Sequence, residues 1–128
     1  MNSFEVNWNI TDVKVDGILG NFTADKFVSV DRFESVDNLI DMIVKFLRKY
    51  RNHIDITFGY FGNTSVSYGR MIGNFANGDD GKPTYDLIEW RGNSVDRTEN
   101  VKLTRKNVKE NILHFIERFK EDEENVNG

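Results

Sequence analysis

His53 and His114 are the only imidazoles in the chain, and there is no cysteine. Acid–base, nucleophilic or metal chemistry would therefore need one of them beside a carboxylate, or a cluster of carboxylates alone. Neither histidine has a partner at a useful spacing. His53 follows the cationic end of an amphipathic segment, where an imidazolium suits the negative end of a helix dipole, and His114 follows Leu113 on the flank of another. Ser65 and Ser67 lie in an extended segment without the turn sequence that presents a catalytic serine. The glycines of Gly59-Tyr60-Phe61-Gly62 and of Gly69 to Gly73 have neither the Gly-x-Gly-x-x-Gly order nor the Gly-Lys-Ser/Thr ending of phosphate loops. Asn77-Gly78-Asp79-Asp80-Gly81 lacks the alternating oxygen ligands and the closing glutamate of a calcium loop. No catalytic residue, no cofactor and no metal site is expected.

The remaining chemistry is that of a surface. Between residues 74 and 100, six carboxylates (Asp79, Asp80, Asp86, Glu89, Asp96 and Glu99) face three cations, Lys82, Arg91 and Arg97. Tyr60, Tyr68, Tyr85 and Trp90 lie in or beside the same region. Aromatic rings ringed by acids are suited to capture a basic protein partner. These ten residues are the candidate partner-binding set. A sheet packed on one face would send part of the same aromatics to the core.

Composition sets the limits within which such a surface is built. The 128 residues fit one domain, and 38% apolar side chains with ten Phe are enough to fill one core. A net charge of −4 opposes a broad nucleic-acid footprint. No apolar run reaches the ~18 residues of a membrane span, and the N-terminal residues lack a signal-peptide pattern. A cytoplasmic protein that contacts neither membrane nor nucleic acid directly is expected.

The elements that must position the surface are legible from periodicity. Phe4, Val6, Trp8 and Ile10 alternate with polar residues as in a half-buried strand. Asp16-Gly17 is a turn signal, so residues 1–32 read as an N-terminal hairpin, with Lys26 to Val30 either a short further strand or an extended lead-in to the first helix. Val36, Leu39, Ile40, Ile43, Val44 and Leu47 recur every three to four residues, giving a helix over 35–51 capped by Ser35. Its basic end, Lys45, Arg48, Lys49 and Arg51, offers a nucleic-acid or phosphate patch as one reading, but the helix dipole and a solvated helix end already account for it.

Ile54 to Tyr60 alternates again, Gly62-Asn63 can turn the chain, Val66 to Phe75 forms a longer strand, and Thr84 to Trp90 a third. Glycines at 69 and 73 inside a strand mark either a bulge or a close approach to the backbone. A polar edge strand then leads to Thr104, which caps a second helix over 104–120. Residues 121–128 read as a flexible acidic tail. The fold class is α+β, a mainly antiparallel sheet with two helices packed on one face.

The run VDNLIDMIVKFLRKYRNHIDITFGYFGNTSVSYGRM, an acidic loop, YDLIEWRGN, a polar strand and LTRKNVKENILHFIERF together resemble the small α+β immunity proteins that accompany bacterial polymorphic toxins. The resemblance spans Phe33 to Phe119. It implies a helix–meander–helix domain that binds and blocks a toxin domain, often a deaminase or nuclease. On this reading the protein inhibits a nucleic-acid-acting toxin by steric and electrostatic blockade. A phage-encoded inhibitor of a host defence nuclease, anti-CRISPR-like, would use the same surface. A small enzyme or ligand-binding domain would instead require a deep pocket on the sheet, with His53 or His114 beside a carboxylate.

Overall fold

The computed structural model describes residues 3–59, 67–78 and 80–127. They form β1 (Ser3–Val15), β2 (Ile18–Ser29), α1 (Phe33–Tyr50), β3 (Ile54–Phe58), β4 (Gly69–Gly73), β5 (Thr84–Arg91), β6 (Ser94–Lys102) and α2 (Arg105–Asn127). Short 3-10 turns lie at Arg51–His53 and Phe75–Asn77. The strands make one six-stranded sheet in the order β2-β1-β3-β4-β5-β6, and every neighbouring pair is antiparallel. The architecture is α+β, as the periodicities imply.

Register explains why one face is buried. Val6 lies opposite Phe58, Trp8 opposite Ile56 and Ile10 opposite Ile54, and the row continues from Ile56 to Met71 and from Met71 to Leu87. Opposed residues point to the same side of a sheet, so these rows stack an apolar surface across four strands. Leu39, Ile40, Ile43 and Leu47 of α1 and Val108, Ile112, Phe115 and Phe119 of α2 cover it, in one continuous buried cluster. Among the described residues no helix is long and apolar enough to cross a membrane.

The two strand glycines are sites of close approach. A Cβ on Gly69 would occupy the ring of Phe115, and one on Gly73 would collide with the backbone carbonyl of Arg51. Arg51 has φ 50 and donates its backbone N–H to the carbonyl of Leu47, so the end of α1 is pressed into β4. The neighbouring 3-10 turns are tied together: Asn52 Oδ1 accepts the Phe75 N–H at 2.6 Å, and the Arg51 guanidinium lies 5.2 Å from the Phe75 ring centre.

Several boundaries differ from those read off the sequence. α1 begins at Phe33, and Arg32 occupies the cap position without a side-chain bond, so Ser35 falls inside the first turn and does not cap. Thr104 does cap α2, its Oγ1 accepting the Asn107 N–H at 3.1 Å. α2 then continues helical to Asn127, through most of the stretch expected to be a flexible tail. Once its docked turns are in place, adding residues with good helix propensity costs little.

β2 is one strand from Ile18 to Ser29, and the segment from Lys26, read as either a short further strand or an extended lead-in, is the end of it. Its partner absorbs a bulge between Ile10 and Val13, and there the Asp12 N–H donates to Asn21 Oδ1 at 3.0 Å. Asp16 and Gly17 turn the hairpin with φ 52 and 80, the two positive values that an Asp-Gly pair supplies. β4 is shorter than expected, Gly69–Gly73. The expected turn at Gly62-Asn63 and the strand start at Val66 lie outside the described residues.

Candidate functional site

The largest polar constellation is centred on Glu89 of β5. Strand alternation turns Glu89 to the helix side together with Tyr85 and Leu87, and only 3% of it is exposed. A lone carboxylate there would be costly. It is satisfied instead by three side chains, an imidazole and two guanidinium groups, from two other elements. Glu89 Oε1 accepts from His114 Nε2 at 2.7 Å and from Arg118 Nη1 at 3.1 Å, both on α2. Its Oε2 lies 3.3 Å from Arg97 Nε on β6, directly across the sheet. Burial pushes the Glu89 carboxyl up, but the hydrogen bonds from His114 and Arg118 and the Arg97 charge outweigh it and hold its pKa below the ordinary glutamate value.

From Arg97 the network runs inward and outward. Arg97 Nη2 donates to Asn111 Oδ1 at 2.8 Å, and Asn111 Nδ2 donates to the Tyr85 hydroxyl at 2.9 Å. Burial pushes the Tyr85 phenol up to about 12. Outward, Arg97 Nη1 lies 3.5 Å from Glu99, and Asp96 lies 3.8 Å from Arg91 and 3.9 Å from Arg118. Asn111, His114 and Arg118 stand at i, i+3 and i+7, one polar stripe along α2 beside its apolar face. Among the described residues every buried side-chain nitrogen and oxygen has a partner.

This constellation gathers four of the ten candidate residues and removes their free charge. Glu89 is buried, and Asp96 and Glu99 are paired with arginines. Tyr85 is fully buried and Tyr68 nearly so, its ring packed 6.0 Å from Phe119 and 6.3 Å from Phe4. Tyr68, Tyr85 and Glu89 thus pack into the core, because the helices occupy the face towards which they point.

Asp86 and Trp90 alternate to the opposite, open face. There Asp86 accepts from Asn74 Nδ2 at 2.6 Å and Asn100 Nδ2 at 2.9 Å, while Trp90, half-buried, faces Val95. Asp80 holds its own turn, accepting the Lys82 N–H at 3.1 Å, and pairs with Lys102 at 3.3 Å. Those bonds hold its pKa below the usual carboxylate value. Tyr60 and Asp79 lie outside the described residues. The expected single acidic and aromatic surface is therefore divided between two faces and largely neutralised from within.

Two further features stand outside the candidate set. On the open face Arg70 grips Asp55 with both Nε and Nη2. Near it, Glu5 is buried at a diagonal to Asp25, and burial together with that neighbouring carboxyl raises its pKa. The second feature is the β1–β2 hairpin. Of β1, only Val6 to Ile10 pairs with β3, so the hairpin projects beyond the sheet as a two-stranded ribbon.

Alternation from buried Val28 puts Phe22 and Ile18 on the helix side of the ribbon, with Val15 opposite Ile18. Ile18 is 72% exposed, Leu19 59%, Val15 48% and Phe22 44%. At its base Trp8 meets Phe46 edge to face at 5.3 Å. β2 is a sheet edge with no charged residue from Ile18 to Ala24, whereas the opposite edge, β6, carries Asp96, Arg97, Glu99 and Lys102. Charge on an edge discourages pairing, and its absence invites it. The polar residues of the hairpin tip did not identify it from sequence; its solvent-facing apolar residues were the available signal.

Among the described residues no group of three or more His, Asp or Glu is placed to hold a metal ion. Comparison with protein-family models, with curated proteins and with solved structures finds no match to this chain.

Proposed function

We propose that this protein is a stoichiometric protein inhibitor of the immunity type, which binds a nucleic-acid-acting toxin domain and blocks it. The observation that carries this reading is the projecting hairpin, with Val15, Ile18, Leu19 and Phe22 exposed on a sheet edge that lacks charge from Ile18 to Ala24. Apolar patches left uncovered on an otherwise polar surface mark sites of protein association. Burying each of these side chains would contribute about 1–2 kcal/mol to a complex. The acid surplus of four charges steers the protein to a basic partner, as a toxin acting on nucleic acid would be. Asp86 and Trp90 on the open face remain available to the same partner, while the contact moves away from Tyr68, Tyr85 and Glu89.

The test is co-expression with the polypeptide encoded by the adjacent gene. The inhibitor reading expects a 1:1 complex at micromolar concentration and cells protected from that polypeptide's toxicity. Neither complex nor protection would end it. A neighbouring phage operon in place of a toxin gene would assign the same surface to counter-defence against a host nuclease.

A second reading, a small ligand-binding domain or enzyme, is favoured by one observation: His114 stands beside the carboxylate of Glu89. Against it, Glu89 is already engaged by two guanidinium groups, and neither it nor His114 lines the cleft between α1 and the start of α2. Nuclear magnetic resonance titration of the His114 ring with candidate small ligands separates the two, since a protein inhibitor needs no response there.

A further inference from the structure

The basic end of α1 has a simple account in the helix dipole, but that account covers only part of what is assembled there. The dipole acts within the last turn, where Arg48 and Lys49 lie; Lys45 is outside it. Arg105 is the first residue of α2, a separate helix, and is brought to the same place by Asp37 and Asp41, which accept from its Nη2 and Nε at 2.6 and 2.8 Å. Between the helices is an open cleft of about 570 Å³, lined by Asp41, Val44, Lys45, Arg48, Lys49 and Arg105. Four cations and one carboxylate face the same space on a chain whose net charge is −4.

Of the other arginines, Arg70 is gripped by Asp55, Arg97 and Arg118 by Glu89, and Arg91 lies beside Asp96, whereas Arg32 and Arg51 make no ion pair with a described residue. Lys45, Arg48 and Lys49 make no ion pair with any described residue, although all three are exposed at the mouth of the cleft. Unpaired like charges within one and a half helical turns repel each other, and an anion placed among them relieves that repulsion.

We propose that the cleft between α1 and the start of α2 is a phosphate-binding site. From Lys45 to Lys49 the helix rises about 6 Å. A nucleic-acid strand carries one phosphate per ~3.4 Å, so it presents about two charges over that length, a density matched by three cations with Arg105 beside them. Arg105 is held by its two carboxylates with its planar guanidinium already oriented, the geometry that recognises phosphate oxygens. Among the described residues no aromatic ring lines the cleft, so it reads charge and not base identity. It is open, which suits a backbone passing across it, and a small phosphorylated molecule offers the same chemistry. The site is independent of the inhibitor reading.

The test is fluorescence anisotropy of a labelled 20-nucleotide single-stranded DNA at 50 mM salt, with pyrophosphate binding followed separately by thermal shift. Three proteins are compared: the unaltered chain; Lys45→Gln, Arg48→Gln, Lys49→Gln; and a charge-matched control, Lys14→Gln, Lys26→Gln, Lys82→Gln. Binding of the DNA with a logarithmic salt slope of about −2 to −3 is expected. The α1 triple variant should weaken it at least tenfold, and the control less than twofold.

Pyrophosphate binding that depends on the same three residues, without DNA binding, would keep the site and assign it to small phosphorylated ligands. Binding of neither probe, equal loss in the control, or displacement of the DNA by polyglutamate as readily as by pyrophosphate would overturn the proposal. The substituted positions are exposed, and circular dichroism confirms folding of each variant before binding is measured.

Discussion

Two buried glutamates on opposite faces of the sheet respond to pH in opposite directions. Glu89 sits among cations, and its folded pKa is lower than in the unfolded chain. Its contribution is complete above about pH 4.3 and is lost as pH falls through the lower folded value. Glu5 is buried beside Asp25, and its folded pKa is higher. Its contribution is present below about pH 4.3 and is lost as pH rises through the folded value, beyond which the ionised pair weighs against the fold.

Glu5→Gln mimics the protonated form. It should raise Tm at pH 7 and leave it nearly unchanged at pH 3.5, as scanning calorimetry at both pH values would read; a loss of Tm at pH 7 would refute the raised pKa. Glu89→Gln should cost about 2–3 kcal/mol at pH 7, because it strands Arg118, which is itself almost buried. Urea denaturation measures that loss, and the difference from the unaltered protein should shrink as pH is lowered below 4.

At the scale of elements, the sheet is locked to the helices where side chains are missing. Gly73 lets β4 lie against the carbonyl of Arg51, at the strained end of α1. Gly73→Ala pushes backbone against backbone, with no flexible side chain to yield, and should destabilise by about 2–3 kcal/mol in urea denaturation. A neutral result would mean that α1 and β4 are not in register as described.

Elements with one buried face were legible before the structure. The alternation at Phe4 to Ile10 and at Thr84 to Trp90, and the three-to-four spacing of α1 and α2, each name a face that the core then uses. β2 was not legible as a whole because most of its length buries neither face, and periodicity reports burial. The helical continuation of α2 beyond Lys120 was missed because EDEENVN carries no apolar periodicity.

At the scale of the whole molecule, the candidate site was half legible. Alternation turned Glu89 inward with Tyr85, but two of the three side chains that satisfy it, His114 and Arg118, come from α2, 25 and 29 residues further along, and no local spacing announces them. Counting acids between 74 and 100 gave a negative surface; folding brings Arg118 and Lys102 to those acids and spends the charge internally. Function is then left to what folding does not cover. One sheet edge is guarded by charges on β6, and the other is an extended hairpin with apolar side chains in solvent.

The central claim is that this hairpin is where the protein holds its protein partner. Its most direct test is isothermal titration calorimetry of the partner encoded by the adjacent gene against the unaltered chain and against Ile18→Asn, Phe22→Asn. Both substitutions lie on exposed ribbon, so the fold should persist. A 1:1 complex weakened by at least a hundredfold in the double variant, about 3 kcal/mol, is the predicted result. Unchanged affinity in a folded double variant would contradict it.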